Sequence, residues 1–199
     1  MSEAALIVGL GNPGPEYERT RHNVGYRVLD LLCARLGVRL KPLKGVRAFS
    51  AEARDGGRRV ILGRPTTYMN ESGEAVGPLC RYYKVEVEDL VVVHDEIDLP
   101  VGALRVKRGG GDAGHNGLRS ITRLLGPEYL RVRVGVGRPP GTKAGADHVL
   151  ARFSKAEERE IGIVLEEAAD GALLLLHDEV ERVQNQVHAP RGDPDEQES

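Results

Sequence analysis

A chain of 199 residues, 40% hydrophobic and 29% charged, is typical of one globular domain, and no apolar run approaches the roughly 18–20 residues that cross a bilayer. Its two cysteines, Cys33 and Cys80, are too few for a disulfide framework or a metal cluster, so a reducing cytoplasm is expected. Residues 1–154 carry a net charge of +7 (24 Lys and Arg, 17 Asp and Glu) and residues 155–199 carry −9 (4 and 13), which permits a nucleic-acid partner without requiring one.

Apolar runs predict five strands, at residues 5–10, 59–62, 90–94, 103–107 and 130–136. Helical patterns alternate with them, at residues 24–36, 72–83 and 117–125. Strands that alternate with helices are typical of an α/β domain with a largely parallel or mixed sheet.

The last third of the chain is predicted to be helical. Ser154 and Glu157 form an S-x-x-E capping box, which opens a helix that runs toward Ala169. Gly171 is expected to end this helix before a second one at residues 173–187. The remaining sequence is polar, acidic and proline-containing, so residues 1–188 are assigned to one domain and residues 189–199 to a flexible acidic tail.

The stretch GLGNPGPEYERTRHNVG follows the first predicted strand. Its first three glycines match the pattern G-x-G-x-x-G of dinucleotide-binding loops, in which backbone N–H groups face a pyrophosphate at the start of a helix. Pro13 and Pro15 each remove an N–H group from this turn. The sequence therefore disfavours a dinucleotide site, and the polar residues of the turn need another explanation.

Polar side chains follow three of the predicted strands. Asn12 comes just after the first strand, Asn70 follows the second through the link GRPTTYMN, and Asp95 directly follows the third. If these strands are parallel neighbours, the three side chains meet at one edge of the sheet, where ligands bind in open α/β sheets. The opening loop would bring His22 to the same place.

His22 and Asp95 together suggest hydrolysis by an activated water. An imidazole can take a proton from water at neutral pH, and a carboxylate that accepts its other N–H fixes the tautomer. Neither cysteine lies near these segments and no serine occupies a G-x-S-x-G motif, which disfavours a covalent nucleophile. The alternative is that His22 merely flanks a helix and Asp95 lies in a surface turn.

Two asparagines precede predicted helices, and each can either cap its helix or bind substrate. A primary amide both donates and accepts hydrogen bonds, so Asn70 and Asn116 suit a chain that carries amides or an ester. Tyr68 and Met69 add an aromatic and apolar surface beside Asn70, or serve ordinary packing.

The stretch KRGGGDAGHNG contains three successive glycines. Their entropic cost predicts a mobile loop or a close approach to a ligand, with a structural hairpin as the alternative. Further along, Arg131 and Arg133 alternate with valines, so both guanidinium groups are expected on one face of a strand. Lys107 and Arg133 can then clamp a phosphate, although a solvated basic face would give the same pattern.

Four stretches together resemble the bacterial peptidyl-tRNA hydrolases in order and spacing: LIVGLGNPGPEYERTRHNVG, RPTTYMNESG, VVVHDEIDLPVG and GGGDAGHNGLRSI. The resemblance extends to about His188. It implies a cofactor-independent, metal-independent monomer that hydrolyses the ester between a nascent peptide and its tRNA, and a single α/β domain built around a twisted mixed sheet.

The resemblance also implies roles for individual residues. His22 corresponds to the general base and Asp95 to the residue that holds its basic form, while Asn12 corresponds to the residue that distinguishes N-blocked from free aminoacyl-tRNA. Asn70 and Asn116 correspond to substrate-binding asparagines, the latter also associated with the attacking water. Tyr17 and Tyr68 correspond to aromatic contacts near the end of the substrate, and Met69 and His115 to further lining of the cleft. Lys107 and Arg133 correspond to basic residues at the 5′-phosphate of tRNA.

The chain departs from many relatives in the glycine-rich loop. Asp112 and Ala113 stand where those relatives carry histidine and glycine, which leaves the predicted base and its partner untouched. An alternative function is a non-catalytic RNA-binding protein on the same scaffold, as in related organellar splicing factors. The intact His22, Asp95 and three asparagines argue against that alternative.

Overall fold

The structure is a computed structural model that describes residues 3–188. Its strands are β1 Ala4–Gly9, β2 Lys41–Pro42, β3 Ala48–Asp55, β4 Arg58–Pro65, β5 Leu90–Glu96, β6 Leu104–Arg108 and β7 Leu130–Gly135. Its helices are α1 Val24–Leu36, α2 Gly73–Tyr83, α3 Asn116–Leu125, α4 Gly145–Val149, α5 Lys155–Leu174 and α6 Val180–Val187. Within this described part, no helix is both long enough and apolar enough to span a bilayer.

The strands form one mixed sheet in the order β2-β3-β4-β1-β5-β7-β6. The four central strands β4, β1, β5 and β7 are parallel, whereas β2, β3 and β6 pair antiparallel at the two sides. All six residues of β1 are buried because helices cover both faces of the sheet, which is why this strand reads as a continuous apolar run. The predicted single-domain α/β fold is confirmed.

The alternation of side chains along β1 divides the core into two layers. Ile7 packs on one face with residues of α1 and α5, while Leu6 and Val8 pack on the other face with residues of α2 and α3. The parallel strands therefore end at a common edge, which is where the predicted site residues follow β1, β4 and β5.

Some predicted elements were wrong or missing. Strand β3 was not predicted because AFSAEARD lacks a strong apolar pattern, yet all eight of its residues pair with β4.

Helix α5 continues through Gly171 to Leu174, and α6 begins only at Val180. A Cβ at Gly171 would lie 3.5 Å from Val187, so this glycine accommodates a close helix contact, and burial outweighs its poor helix propensity. The short α4 was also missed, and the predicted tail, residues 189–199, lies outside the described residues.

Two glycines of the opening motif allow α1 to begin directly against the sheet. A Cβ on Gly9 would lie 2.1 Å from the carbonyl oxygen of Gly25, and a Cβ on Gly25 would lie 2.4 Å from both Leu10 N and Val93 O. Leu10 N also donates to Val93 O, at 3.0 Å, so this contact involves the junction of β1 and β5. These glycines therefore serve backbone packing, which agrees with the argument against a dinucleotide loop.

We expect Gly25→Ala to lower the free energy of unfolding by about 1–3 kcal/mol or more, because an added methyl group meets backbone atoms that cannot rotate away. Gly162→Ala is the matched control: this glycine lies inside α5 with nothing within 4 Å of the added Cβ, so alanine should stabilise by about 0.5–1 kcal/mol. Urea unfolding of both variants measures the difference. Equal stability of the two variants would contradict the close contact.

Candidate active site

A cleft of about 410 Å³ lies at the carboxyl edge of the sheet, and eight of the eleven predicted site residues line it. The strand ends and the start of α3 bring them there from four separate segments of the chain. They are Asn12, His22, Tyr68, Met69, Asn70, Asp95, His115 and Asn116. A larger groove, about 860 Å³ between β6 and helices α5 and α6, contains none of the predicted residues.

The predicted pair of His22 and Asp95 is in direct contact. His22 Nδ1 lies 2.9 Å from Asp95 Oδ2, and Asp95 is only 2% exposed at the end of β5. Because an ionised carboxylate can only accept, Nδ1 carries the proton and donates it to this hydrogen bond. Nε2 of His22 is then left with its lone pair at the cleft, and no partner for it is recorded among residues 3–188. This is the tautomer that a general base requires.

Asp95 also accepts a hydrogen bond from a second imidazole. His115 Nε2 lies 2.8 Å from Oδ1 of Asp95, while its Nδ1 accepts from the backbone N–H groups of Gly117 and Leu118 at 3.1 and 3.3 Å. These two donors require an unprotonated Nδ1, so the proton resides on Nε2 and His115 is held as a neutral donor. His115, and not Asn116, is therefore the residue whose side chain caps α3.

The contacts around Asp95 displace the pKa values of both members of the pair. Burial alone would raise the pKa of Asp95, but His22 and His115 outweigh it and hold that pKa well below its usual range. Burial likewise works to lower the pKa of His22, yet the charge and hydrogen bond of Asp95 leave it above the ordinary 6.5. Asp95 thus stays ionised, and it favours the imidazolium that forms when His22 takes a proton.

His94 is a site neighbour that the sequence analysis did not single out. It is buried, its Nδ1 donates to the carbonyl oxygen of Asp95 at 2.8 Å, and its ring meets that of His115 edge to face. Burial and the adjacent His115 lower the pKa of His94 to about 3, so it remains neutral. It is therefore a neutral neighbour of Asp95 that does not line the cleft.

The side chains of three residues could also be considered as metal ligands. These residues are His22, Asp95 and His115, and their ligand atoms all lie within 4.8 Å of one another. Ligation through Nε2 of His115 would move its proton to Nδ1, where the N–H groups of Gly117 and Leu118 already donate. The donor set therefore fits a hydrogen-bonded proton-transfer group better than a metal centre.

Asn12 presents a single free donor to the cleft. Its Oδ1 accepts from the backbone N–H of Met69 at 2.8 Å, and its own backbone is held by Asn23 through two bonds of 2.9 Å. Since the carbonyl oxygen is engaged, the side-chain NH₂ group is what Asn12 can offer to a ligand. Asn23, which the sequence analysis did not select, is thus the residue that orients Asn12.

Apolar side chains and unbonded amides line the cleft around the His22–Asp95 pair. Tyr68, 55% exposed, stands on one wall beside Asn70, which makes no recorded side-chain hydrogen bond, and Leu150 of the segment after α4, 45% exposed, stands on the other wall. The first residue of α3, Asn116, adds an exposed amide. The cleft therefore combines apolar walls with amides that are not used by the fold.

Arg21 attaches the α4 wall to the turn that carries His22. Its guanidinium group donates to the carbonyl oxygens of His148 and Arg152, at 3.3 and 2.9 Å, and pairs with Glu157 at 3.1 Å. The predicted capping box at the start of α5 is confirmed, and Glu157 takes part in both contacts. These contacts hold the α4 segment beside the turn that carries His22.

Three predicted residues lie outside the cleft lining. Tyr17 belongs to the turn Pro15–Tyr17 ahead of His22, while Lys107 lies on β6 and Arg133 on β7. Arg133 donates from Nε and Nη2 to Glu96, at 3.2 and 3.0 Å, and Glu96 does line the cleft. Burial lowers the pKa of Lys107, and the nearby Arg133 and Arg131 lower it further, so positive charge accumulates here. Only Arg133 of the two alternating arginines reaches the surface.

Comparisons with known proteins agree with this geometry. The sequence model of the peptidyl-tRNA hydrolase family matches residues 6–196. A peptidyl-tRNA hydrolase from Mycolicibacterium vanbaalenii is 52% identical over 190 residues, which are 95% of this chain and 99% of that protein. One from Frankia casuarinae is 55% identical over 185 residues, 92% of this chain and 93% of that protein.

A solved structure extends the likeness to three dimensions. The crystal structure of peptidyl-tRNA hydrolase from Acinetobacter baumannii superposes with a TM-score of 0.90 at 38% identity, covering 96% of this chain and 97% of that one. Sequence and fold agree over nearly the full length of each relative. The chain therefore belongs to the peptidyl-tRNA hydrolase family.

Proposed function

We propose that this protein hydrolyses the ester bond of peptidyl-tRNA, with His22 as general base and Asp95 as its orienting partner. The observation that carries the proposal is the 2.9 Å bond between His22 Nδ1 and Asp95 Oδ2, which leaves Nε2 free at the cleft. Membership of the family supplies the substrate class, peptidyl-tRNA, and the reaction type.

The reaction follows from this arrangement. Nε2 of His22 takes a proton from water as the water oxygen attacks the ester carbonyl, and the imidazolium is stabilised by Asp95. When the tetrahedral intermediate collapses, the bond to the ribose oxygen breaks, and the imidazolium returns the proton to that oxygen. Peptide acid and free tRNA are the products, and His22 is neutral again.

The oxyanion of the intermediate requires donors that are already in place. At the start of α3, the N–H groups of Gly117 and Leu118 are taken by His115, so the donors left at this end are those of Asn116. Its backbone N–H has no partner within the helix because it is the first helical residue. We assign the oxyanion to Asn116, with its side-chain amide available to position the water.

The free donor of Asn12 offers a physical reason for acting on N-blocked substrates. Its NH₂ group can donate to the carbonyl that precedes the last residue of a peptide. A free aminoacyl group instead carries an ammonium, which is also a donor and would face the NH₂ group unfavourably. Asn70 completes the proposed contacts to the peptide, and Met69 and His115 are proposed as further lining of the cleft. Tyr17 and Tyr68 are the proposed aromatic contacts near the substrate's end.

The tRNA is proposed to contact the basic face beside the cleft. Lys107 and Arg133 would hold its 5′-phosphate, with Glu96 linking Arg133 to the cleft lining. One chain supplies every residue of the proposed site, which supports action as a monomer, and a translational substrate supports a cytoplasmic location. A non-catalytic RNA-binding protein would have no use for the His22–Asp95 contact.

The protein should release N-acetyl amino acid from N-acetyl-aminoacyl-tRNA, and His22→Ala should reduce kcat by roughly 10²–10⁴-fold because the base is removed. Single-turnover assays with labelled substrate measure the rate, and filter binding measures tRNA affinity, which should remain nearly unchanged.

Free aminoacyl-tRNA serves as the substrate control and should be hydrolysed far more slowly. Addition of a chelator distinguishes metal-dependent chemistry and should not change the rate. Full hydrolysis by His22→Ala would show that another group is the base.

The pH profile of kcat/KM should have an acidic limb at a pKa above 6.5, because His22 must be unprotonated and Asp95 raises its pKa. In Asp95→Asn the carboxylate is lost while burial remains, so the limb should move to lower pH as the maximal rate falls. Rate profiles of the wild type and this variant between pH 5 and pH 9, at roughly half-unit steps, measure both limbs. A limb that stays in place in Asp95→Asn would contradict the pairing.

Lys107→Ala and Arg133→Ala should each raise KM while leaving kcat nearly unchanged, since a phosphate contact contributes binding but no chemistry. Each should reduce the slope of log(kcat/KM) against log[salt] by about 1. Arg182→Ala is the control, because this arginine is exposed on α6, away from the cleft lining, and pairs with Asp178 at 3.6 Å. A slope that is unchanged in all three variants would remove the clamp from the proposal.

A further inference from the structure

The glycine-rich loop, residues 109–114, lies between the two parts of the proposed site. Lys107 of the clamp precedes it, and His115, which donates to Asp95, follows it directly. Its glycines predicted a mobile loop or a close approach to a ligand. In the structure, Arg131 holds the backbone of the loop and Asp112 closes its tip.

Arg131 anchors the loop from below. Its guanidinium group donates to the carbonyl oxygens of Gly111 and Gly110 at 2.5 and 2.9 Å, and it stacks on the ring of Tyr129 at 4.4 Å. Arg131 is 0% exposed, and none of the carboxylates described in the structure pairs with it within 4.0 Å. Burying a guanidinium is costly unless its donors are used. The two Nη groups of Arg131 bond to these loop carbonyls and to the carbonyl oxygen of Pro127 at 3.3 Å, while its Nε has no partner among residues 3–188.

Asp112 closes the tip of the loop. Its Oδ1 accepts from the backbone N–H of Gly114 at 2.8 Å, and its carbonyl oxygen accepts from the N–H of His115 at 2.9 Å. Both residues inside this turn are left-handed, with φ of 49° at Ala113 and 80° at Gly114. A left-handed alanine costs roughly 1–2 kcal/mol, so the turn needs the bonds that Asp112 provides.

The turn determines the position of His115. Its backbone N–H is bonded to Asp112, its Nδ1 is bonded to Gly117 and Leu118, and its Nε2 reaches Asp95. Displacing the turn would therefore displace a hydrogen bond to the proposed catalytic carboxylate. Asp112 does not line the cleft, whereas Ala113, Gly114 and His115 do, so any effect of Asp112 on the reaction passes through the turn that it closes.

We propose that Asp112 is a positioning residue for the hydrolytic site: its side chain closes the turn that holds His115 against Asp95, on a loop that Arg131 anchors. This inference rests on the proposed function. A competing explanation is electrostatic, in which the Asp112 carboxylate merely weakens the nearby basic face.

Asp112→Ala and Asp112→Asn separate the two explanations. Both remove the charge, but asparagine keeps the Oδ1 acceptor for Gly114 N. Loss of one such hydrogen bond should lower kcat by roughly two- to tenfold in Asp112→Ala, with little change in KM, while Asp112→Asn retains the wild-type kcat. Equal kcat values for wild type and Asp112→Ala, or equal losses in both variants, would overturn the proposal.

Arg119→Met is the matched control. Arg119 Nε lies 3.5 Å from Oδ2 of Asp112 and is largely exposed, so this variant removes the ion pair and leaves the bond to Gly114 in place. Its kcat should equal that of the wild type. A loss as large as that of Asp112→Ala would assign the effect to the ion pair and overturn the turn-closing role.

The pH profile provides a readout that general destabilisation would not move. In Asp112→Ala the hydrogen bond from His115 to Asp95 should weaken, so the carboxylate loses one of its two donors and attracts the imidazolium of His22 more strongly. The acidic limb of the pH profile should therefore shift to higher pH in this variant. Amide hydrogen exchange should be faster at Gly114 and His115 in that variant. Because the exchange measurement needs no substrate, an unchanged exchange rate in Asp112→Ala refutes the positioning role whether or not the protein is a hydrolase. If the wild type is inactive but the exchange rates change as expected, only the proposed function is refuted.

Discussion

The hydrogen bonds to the carboxylate of Asp95 are the constraint on which the site depends. Each oxygen accepts from a different imidazole, at 2.9 Å from His22 and 2.8 Å from His115, and the group is almost wholly buried. A buried charge without such donors would be neutralised or would destabilise the fold. The capped helix α3 makes His115 a neutral donor, so Asp95 keeps its full charge for the one imidazole that changes protonation state.

The fold serves this arrangement by bringing four distant segments to one edge. Strand β5 carries Asp95 as its penultimate residue, and the loop after β1 supplies His22. The segment after β4 contributes Asn70, and α3 begins beside His115. The parallel centre of the sheet makes these ends coincide, and the absence of Cβ atoms at Gly9 and Gly25 allows α1 to begin directly against the sheet. Packing of backbone against backbone thus permits the loop that carries His22 to lie close to the end of β5.

The sequence predicted the site better than it predicted the periphery. Asn12, Asn70 and Asp95 could be placed together because polar residues at the ends of buried parallel strands share an edge. The second hydrogen bond to Asp95 could not be predicted, since it depends on the path of the glycine-rich loop. Strand β3 was missed because its pairing with β4 compensates for a weak apolar pattern. Arg131 and Arg133 occupy equivalent positions in the alternating pattern of β7, so the sequence predicted the same exposure for both. They differ because the glycine-rich loop covers Arg131.

Adjacent residues of β5 connect the two halves of the proposed reaction. Asp95 orients the base, and Glu96 pairs with Arg133 on the neighbouring strand β7. A strand paired on both sides cannot lengthen or bend freely, so the separation between the ester-cleaving group and the phosphate contact is set by the sheet. A substrate of the proposed reaction reaches full binding only when its phosphate and its ester satisfy that separation together. Discrimination against short ester fragments would then follow from lost binding at the clamp, while the chemistry at His22 stays the same.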